Sequence, residues 1–171
     1  KARRLDIKEE IYFEIIRQKT ASLIASACAC GASTVTTDAE KVNRVKLMGE
    51  KIGIAFQIKD DLFDYGSHEI GKPTGNDIQE KKLTLPLIYT LNHCDKKTRK
   101  ELIYTLKNEH KQQAKIAKVI EVVKNTGGIQ YAEQKMISFR DEALRILKEF
   151  DNPTISKALE ELVRFTTDRT F

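Results

Sequence analysis

Apolar residues along this chain recur at helical intervals, and the alternation that marks a half-buried strand is almost absent. Residues 6–31 carry apolar side chains at Ile11, Ile15, Leu23, Ile24 and Ala27, with Phe13 and Ile16 beside them. Small residues (Ala21, Ser22, Ala25, Ser26, Ala29) fill the second half, which predicts a tightly packed, buried helix ended by Gly31. GASTVTT reads as a loop, and Thr37 or Asp38 is placed to cap the next helix. That helix is expected from Asp38 to Tyr65. Its early turns mix charge with Val42, Val45, Leu47 and Met48, and it then turns apolar through Ile52, Ile54, Ala55, Phe56 and Ile58.

Gly66, Gly71, Pro73 and Gly75 mark residues 66–76 as a loop. Asp77 with Glu80 three residues on resembles a capping box, so Asp77 is expected as an N-cap. LTLPLIYTL then predicts a short buried helix with Pro86 in its first turn. Helices follow at about 95–107, 111–125, 128–149 and 153–167, bounded by caps at Asp95 and Asn152, the Gly127-Gly128 break and Pro153. There is no internal repeat. The expected fold is all-α, orthogonal or bundle-like, as one domain over 1–171 with no internal boundary.

Composition changes this picture little. The 171 residues are 40% apolar and 32% charged, a soluble globular balance. The net charge of +5 is modest and interspersed, with no basic run beyond KKTRK at 96–100, which argues against a nucleic-acid partner. No apolar run approaches the roughly 20 residues that span a bilayer, so stable membrane insertion is not expected. Cys28, Cys30 and Cys94 have no metal spacing and read as reduced, buried side chains, which suggests a cytoplasmic setting. The chain opens on a polar stretch without an initiator Met, which reads as a fragment or a processed product.

The candidate chemistry lies in FQIKDDLFDYGSHEIGKPTGNDIQEKKLTLP, residues 56–86. Asp60, Asp61 and Asp64 are set there against Lys59, Lys72, Lys81 and Lys82. Asp60 and Asp64 are spaced i, i+4, so a helix puts both on one face. Two carboxylates that close call for a cation, and hard oxygens held this way suit Mg²⁺, often bound by one or two carboxylates plus substrate phosphates. The acids also come at the C-terminal end of their helix, where the dipole is unfavourable to them; a violation of this kind points to function. The lysines could hold the far side of the same phosphates. His68, His93 and His110 are scattered without partners and read as surface or loop residues.

These residues match a family. FQIKDDLFD, then GKPTGND and KKLTLPLIYTL, resemble the second aspartate-rich region of the trans-isoprenyl (polyprenyl) diphosphate synthases. The upstream KTASLIASACACGA resembles that family's helix with a Lys-Thr pair and a Gly-Ala end. The resemblance covers residues 5–92 and is looser beyond. Its KxTLP ending is closer to bacterial long-chain synthases than to farnesyl diphosphate synthases. It implies the C-terminal half of the isoprenoid synthase helical bundle, acting in head-to-tail condensation of isopentenyl diphosphate with an allylic prenyl diphosphate, with Mg²⁺ as cofactor and a homodimer as the assembly.

On the same ground, Asp60, Asp61 and Asp64 match metal-binding acids, with Asp60 as the direct ligand and Asp64 acting through water. Lys19, Lys72 and Lys82 match lysines that contact the diphosphate. Thr20 and Gln57 match polar groups near the ionising carbon, Phe56 an apolar neighbour, and Asp77 the acid of the GxD turn. Family members are about twice this length and carry a first aspartate-rich motif that is absent here, so the chain alone is expected to be inactive in elongation. A helical half of this kind is expected to expose an apolar face and to associate with itself or with its other half. Lys81 stands where the family commonly has Gly or Asn and reads as a surface variant. The C-terminus LVRFTTDRTF lacks the usual Arg-Lys tail. The alternatives are a terpene cyclase of the same fold, a non-catalytic helical subunit of a heteromeric synthase, and a generic helical interaction module.

Overall fold

The computed structural model describes residues 8–66, 74–150 and 152–169, and no strand occurs among them. Helix α1 (Glu9–Ile16) runs through a π-helical turn (Arg17–Ala21) into α2 (Ser22–Ser33). Then follow α3 (Ala39–Phe63), the single-turn α4 (Asn76–Gln79), α5 (Leu85–His93) and α6 (Lys96–Tyr104). A second π-helical segment (Thr105–Glu109) leads to α7 (Gln113–Asn125), α8 (Gly128–Leu147) and α9 (Pro153–Asp168). The all-α expectation is met.

The helix starts follow from side-chain caps. Asp38 accepts from the amides of Glu40 (3.0 Å) and Lys41 (3.3 Å) and opens α3. Asp95 accepts from Lys97 and Thr98 and opens α6. Asn152 accepts from Ile155, with Pro153 next to it, and opens α9. At the glycine break the two residues do different work. Gly127 takes φ +82°, a left-handed end for α7, whereas a Cβ on Gly128 would lie 2.5 Å from the Pro86 carbonyl oxygen.

The described residues fall into two compact units. One holds α1 up to Tyr12 together with residues from Asp60 to Glu133; the other holds Phe13–Lys59 and the chain from Gln134 onward. In the first, α5 is buried nearly all round (Leu85, Pro86, Leu87, Ile88, Thr90, Leu91), and the Thr90 hydroxyl is satisfied by the Pro86 carbonyl at 2.9 Å. In the second, Met48 of α3 joins Ala143, Leu144, Ile146 and Leu147 of α8 and Val163 of α9 in one cluster.

Four expectations are corrected. Gly31 does not end its helix, because nothing about its backbone or surroundings forces a turn and α2 continues to Ser33. Within α2 only Ala25 is buried, while Leu23 is 74% exposed and Cys30 is exposed. Small side chains allow close approach on one face but do not place a partner on the other. The cysteines are free as expected, yet not buried: Cys28 and Cys94 are half-buried. Asp77 is not an N-cap; Gly75 holds that place and Asp77 lies within the first turn of α4. Among the described residues no helix is long and apolar enough to cross a membrane.

Candidate active site

The end of α3 sends its three acids in different directions. Asp60 is exposed, whereas Asp61 and Asp64 are each 9% exposed. Asp61 Oδ2 accepts from the hydroxyl of Tyr12 at 2.8 Å. Asp64, in the turn after α3, accepts from the Asp77 amide at 3.1 Å, so it ties this turn to the start of α4. Burial and the neighbouring charge of Asp77 push the Asp64 carboxyl up to about 6, while the amides of Asp77, Asn76 and Gly75 pull it down. No group of three His, Cys, Asp or Glu side chains converges on one point among the described residues. The donor set still fits Mg²⁺ held by one or two carboxylates plus substrate phosphate oxygens: Asp60 is open to solvent, and Asp64 is a crowded carboxylate one turn along.

The segment after α4 is shaped by Lys81. It takes φ +58°, the one non-glycine residue with positive φ among the described residues. Its amide returns to the Ile78 carbonyl (3.1 Å) and the Lys82 amide to the Asp77 carbonyl (2.8 Å). This bond pair is a Schellman ending for α4. The Lys81 ammonium donates to the Lys107 carbonyl at 3.0 Å. Lys81 is therefore more than a surface variant. Its left-handed backbone is what Gly or Asn adopts readily. The turn leaves Lys82 with its ammonium 3.1 Å from Asp77 and 2.7 Å from Glu80, which holds the amine above its ordinary pKa. Lys72 and His68 lie outside the described residues.

The other predicted residues sit in the second unit. Lys19 and Thr20 fall within the π-helical turn, where the Ser22 amide reaches back to the Arg17 carbonyl. Such widened turns are frequent at functional sites. Lys19 is exposed, and Thr20 donates its hydroxyl to Gln57 Oε1 at 2.9 Å. With its proton committed to Gln57, the Thr20 oxygen presents lone pairs to its surroundings. The close approach that allows this is made at Gly53, where a Cβ would lie 2.5 Å from Ala21 Cα. The Phe56 ring is covered by the Arg169 guanidinium, 4.3 Å from its centroid.

Sequence reasoning missed Tyr12, the π-helical turn, the backbone of Lys81 and Arg169. Tyr12 had a usable signal: it occupies a position in the apolar rhythm of α1, and a tyrosine placed there brings a hydroxyl that needs a partner. The π-helical turn had none. His93 is exposed at the end of α5, and His110 is half-buried with an Nδ1 that has no partner.

Residues 1–123 match the polyprenyl synthetase family, and the chain belongs to it. It is 35% identical over 171 residues to a short chain isoprenyl diphosphate synthase of Methanothermobacter thermautotrophicus, covering 97% of this chain and 51% of that protein. Its fold superposes on a decaprenyl diphosphate synthase from Rhodobacter capsulatus with a TM-score of 0.90 at 31% identity, covering 99% of this chain and 53% of that one. It also superposes on a polyprenyl synthase from Caulobacter crescentus CB15, solved with calcium and isoprenyl diphosphate. That match has a TM-score of 0.90 at 29% identity and covers 99% of this chain and 52% of that one. The chain thus spans about half the length of the relatives it matches.

Proposed function

We propose that this chain supplies the allylic-diphosphate side of a Mg²⁺-dependent prenyltransferase. The reaction is head-to-tail condensation of isopentenyl diphosphate with an allylic prenyl diphosphate. The observation that carries the reading is that Asp64, one turn from the exposed Asp60, accepts from the Asp77 amide while Lys82 pairs with the Asp77 carboxylate. Asp60 is the direct metal ligand, Asp64 a second one through water, and Asp61 a supporting acid. Lys19, Lys72 and Lys82 donate to the diphosphate oxygens.

Ionising an allylic diphosphate separates charge, and the residues divide accordingly. Mg²⁺, when bound, neutralises the negative charge that grows on the leaving diphosphate. The lysines add fixed donors to that charge at the moment it develops. The Thr20 oxygen, its proton held by Gln57, offers electron density to the allylic carbon as it becomes positive. Phe56 adds an apolar surface that does not trap a carbocation as water would. The double bond of the second substrate is the nucleophile, so no Ser, Cys or His is required, in keeping with the positions of His93 and His110.

Calorimetric titration with geranyl diphosphate tests this. Binding is expected with Mg²⁺ and lost on chelation, and Asp60→Asn is expected to weaken it by about tenfold or more, as loss of a metal contact does. Binding that is indifferent to Mg²⁺, or absent with it, would overturn the reading.

A further inference from the structure

The buried phenol of Tyr12 is the feature that neither the motif nor the proposed chemistry absorbs. Tyr12 is 4% exposed, and its hydroxyl ends on Asp61, 49 residues further along the chain and itself nearly buried. Two other phenols meet different groups: Tyr65 shares a hydrogen bond with Thr84, and Tyr131 donates to Glu9. The bond of Tyr12 is thus aimed into the aspartate-rich motif.

We propose that Tyr12 is a positioning residue for the metal-binding end of α3: by holding Asp61 inward, its hydroxyl fixes the direction in which Asp60 and Asp64 are presented to a metal-bound diphosphate. This rests on the function proposed above.

The geometry supports it in two ways. Successive residues on a helix point about 100° apart, so fixing Asp61 on the inner side fixes the rotation of the last turn of α3 and keeps Asp60 outward. Asp61 is nearly buried, and the Tyr12 phenol gives its carboxylate a donor there. Partners that orient metal ligands in this way commonly govern affinity as strongly as the ligands do.

A tether that only stabilises α1 would give a different result, and Tyr131 is the control. Its hydroxyl also secures α1, but through Glu9, at 2.7–2.8 Å. Calorimetric titration of inorganic diphosphate across a series of Mg²⁺ concentrations should be run on the wild-type chain, Tyr12→Phe, Asp61→Asn, the double variant and Tyr131→Phe. Thermal melts accompany each. Tyr12→Phe keeps the ring and removes only the hydroxyl. It is expected to weaken Mg²⁺-dependent binding by about tenfold or more. The double variant should be no weaker than Asp61→Asn alone. Tyr131→Phe should lower the melting temperature and keep binding within about twofold of wild type.

Wild-type binding matched by Tyr12→Phe would overturn the positioning role and leave the function reading standing. Equal losses in Tyr12→Phe and Tyr131→Phe would overturn it in favour of a plain tether. A wild-type chain that binds no diphosphate with Mg²⁺ would overturn the function reading and this inference with it.

Discussion

The Lys82 ammonium lies 3.1 Å from a carboxylate oxygen of Asp77, and Glu80 closes on the same ammonium at 2.7 Å. The residue expected to grip a diphosphate is thus already engaged by two acids. Lys82 and Glu80 are both more than half exposed, so their contact is weak, in the range of about 0–1 kcal/mol for a surface pair. Glu80→Gln is expected to release Lys82 for the ligand and to tighten diphosphate binding by about two- to fivefold at low salt. The gain should shrink as salt is added. A calorimetric series over salt concentration checks this, and an unchanged affinity at low salt would contradict it.

Lys81 shows that a backbone requirement can look like a charge substitution. Its φ of +58° is imposed by the Schellman ending of α4, so the side chain matters less than the tolerance of the backbone. Lys81→Asn, which adopts left-handed backbone readily, is expected to keep stability within about 0.5 kcal/mol. Lys81→Ile is β-branched and is expected to cost about 1–2 kcal/mol. Urea denaturation of the two variants distinguishes them, and equal stabilities would refute the assignment.

Gly53 is the spacer behind the Thr20–Gln57 hydrogen bond. A Cβ there would meet backbone, Ala21 Cα at 2.5 Å, so no flexible side chain can give way. Gly53→Ala is expected to cost about 1–3 kcal/mol by overpacking and to push the π-helical turn away from α3. The loss of the 2.9 Å contact between Thr20 and Gln57 should follow. A thermal melt reports the first effect, and an amide NMR shift at Gln57 the second. Stability equal to wild type would show that the helices separate without strain.

The parts of this fold legible in the sequence are those that local chemistry decides. Asp38, Asp95 and Asn152 cap helices because short polar side chains reach the free amides of a first turn. The aspartate-rich motif was legible from its spacing. What was not legible depended on partners far along the chain. Leu23 and Cys30 lie exposed because burial is decided by what packs against a helix, not by how small its residues are. Tyr12 and Asp61 meet across 49 positions, which no periodicity reveals. The cap position expected at Asp77 is held by Gly75, and the Asp64 carboxylate accepts from the Asp77 amide in the first turn of α4, as a cap side chain would.

Asp64 links stability to pH with a definite sign. Its carboxyl is raised from 3.8 to about 6 in the folded chain, chiefly by burial and then by Asp77. The folded state therefore binds the proton more tightly than the unfolded one. Stability falls as pH rises from about 4 to about 6 and stays lowered above that. Asp64→Asn is expected to raise stability at pH 7 without metal, since the amide oxygen can still accept from Asp77, and to lose this advantage below pH 4. Denaturation curves at several pH values in chelator check it. A gain that is the same at pH 3.5 and pH 7 would show that charge is not the cause.

The function proposed above uses one aspartate-rich motif, and no second acidic cluster of the same spacing occurs in residues 1–171. Condensation needs two diphosphates held at once, one ionising and one carrying the nucleophile, in a near-attack arrangement. The 171-residue polypeptide is therefore expected to bind an allylic diphosphate with Mg²⁺ yet give no elongated product. The check is an incubation of geranyl diphosphate, labelled isopentenyl diphosphate and Mg²⁺ with the chain alone, resolved by chromatography. A longer labelled prenyl diphosphate would show that this half carries both substrate sites. No product, together with Mg²⁺-dependent binding in the calorimeter, would place the second site in polypeptide beyond these residues. Adding the complementary part of a relative such as the short chain isoprenyl diphosphate synthase should then restore turnover, and Asp60→Asn should abolish what is restored.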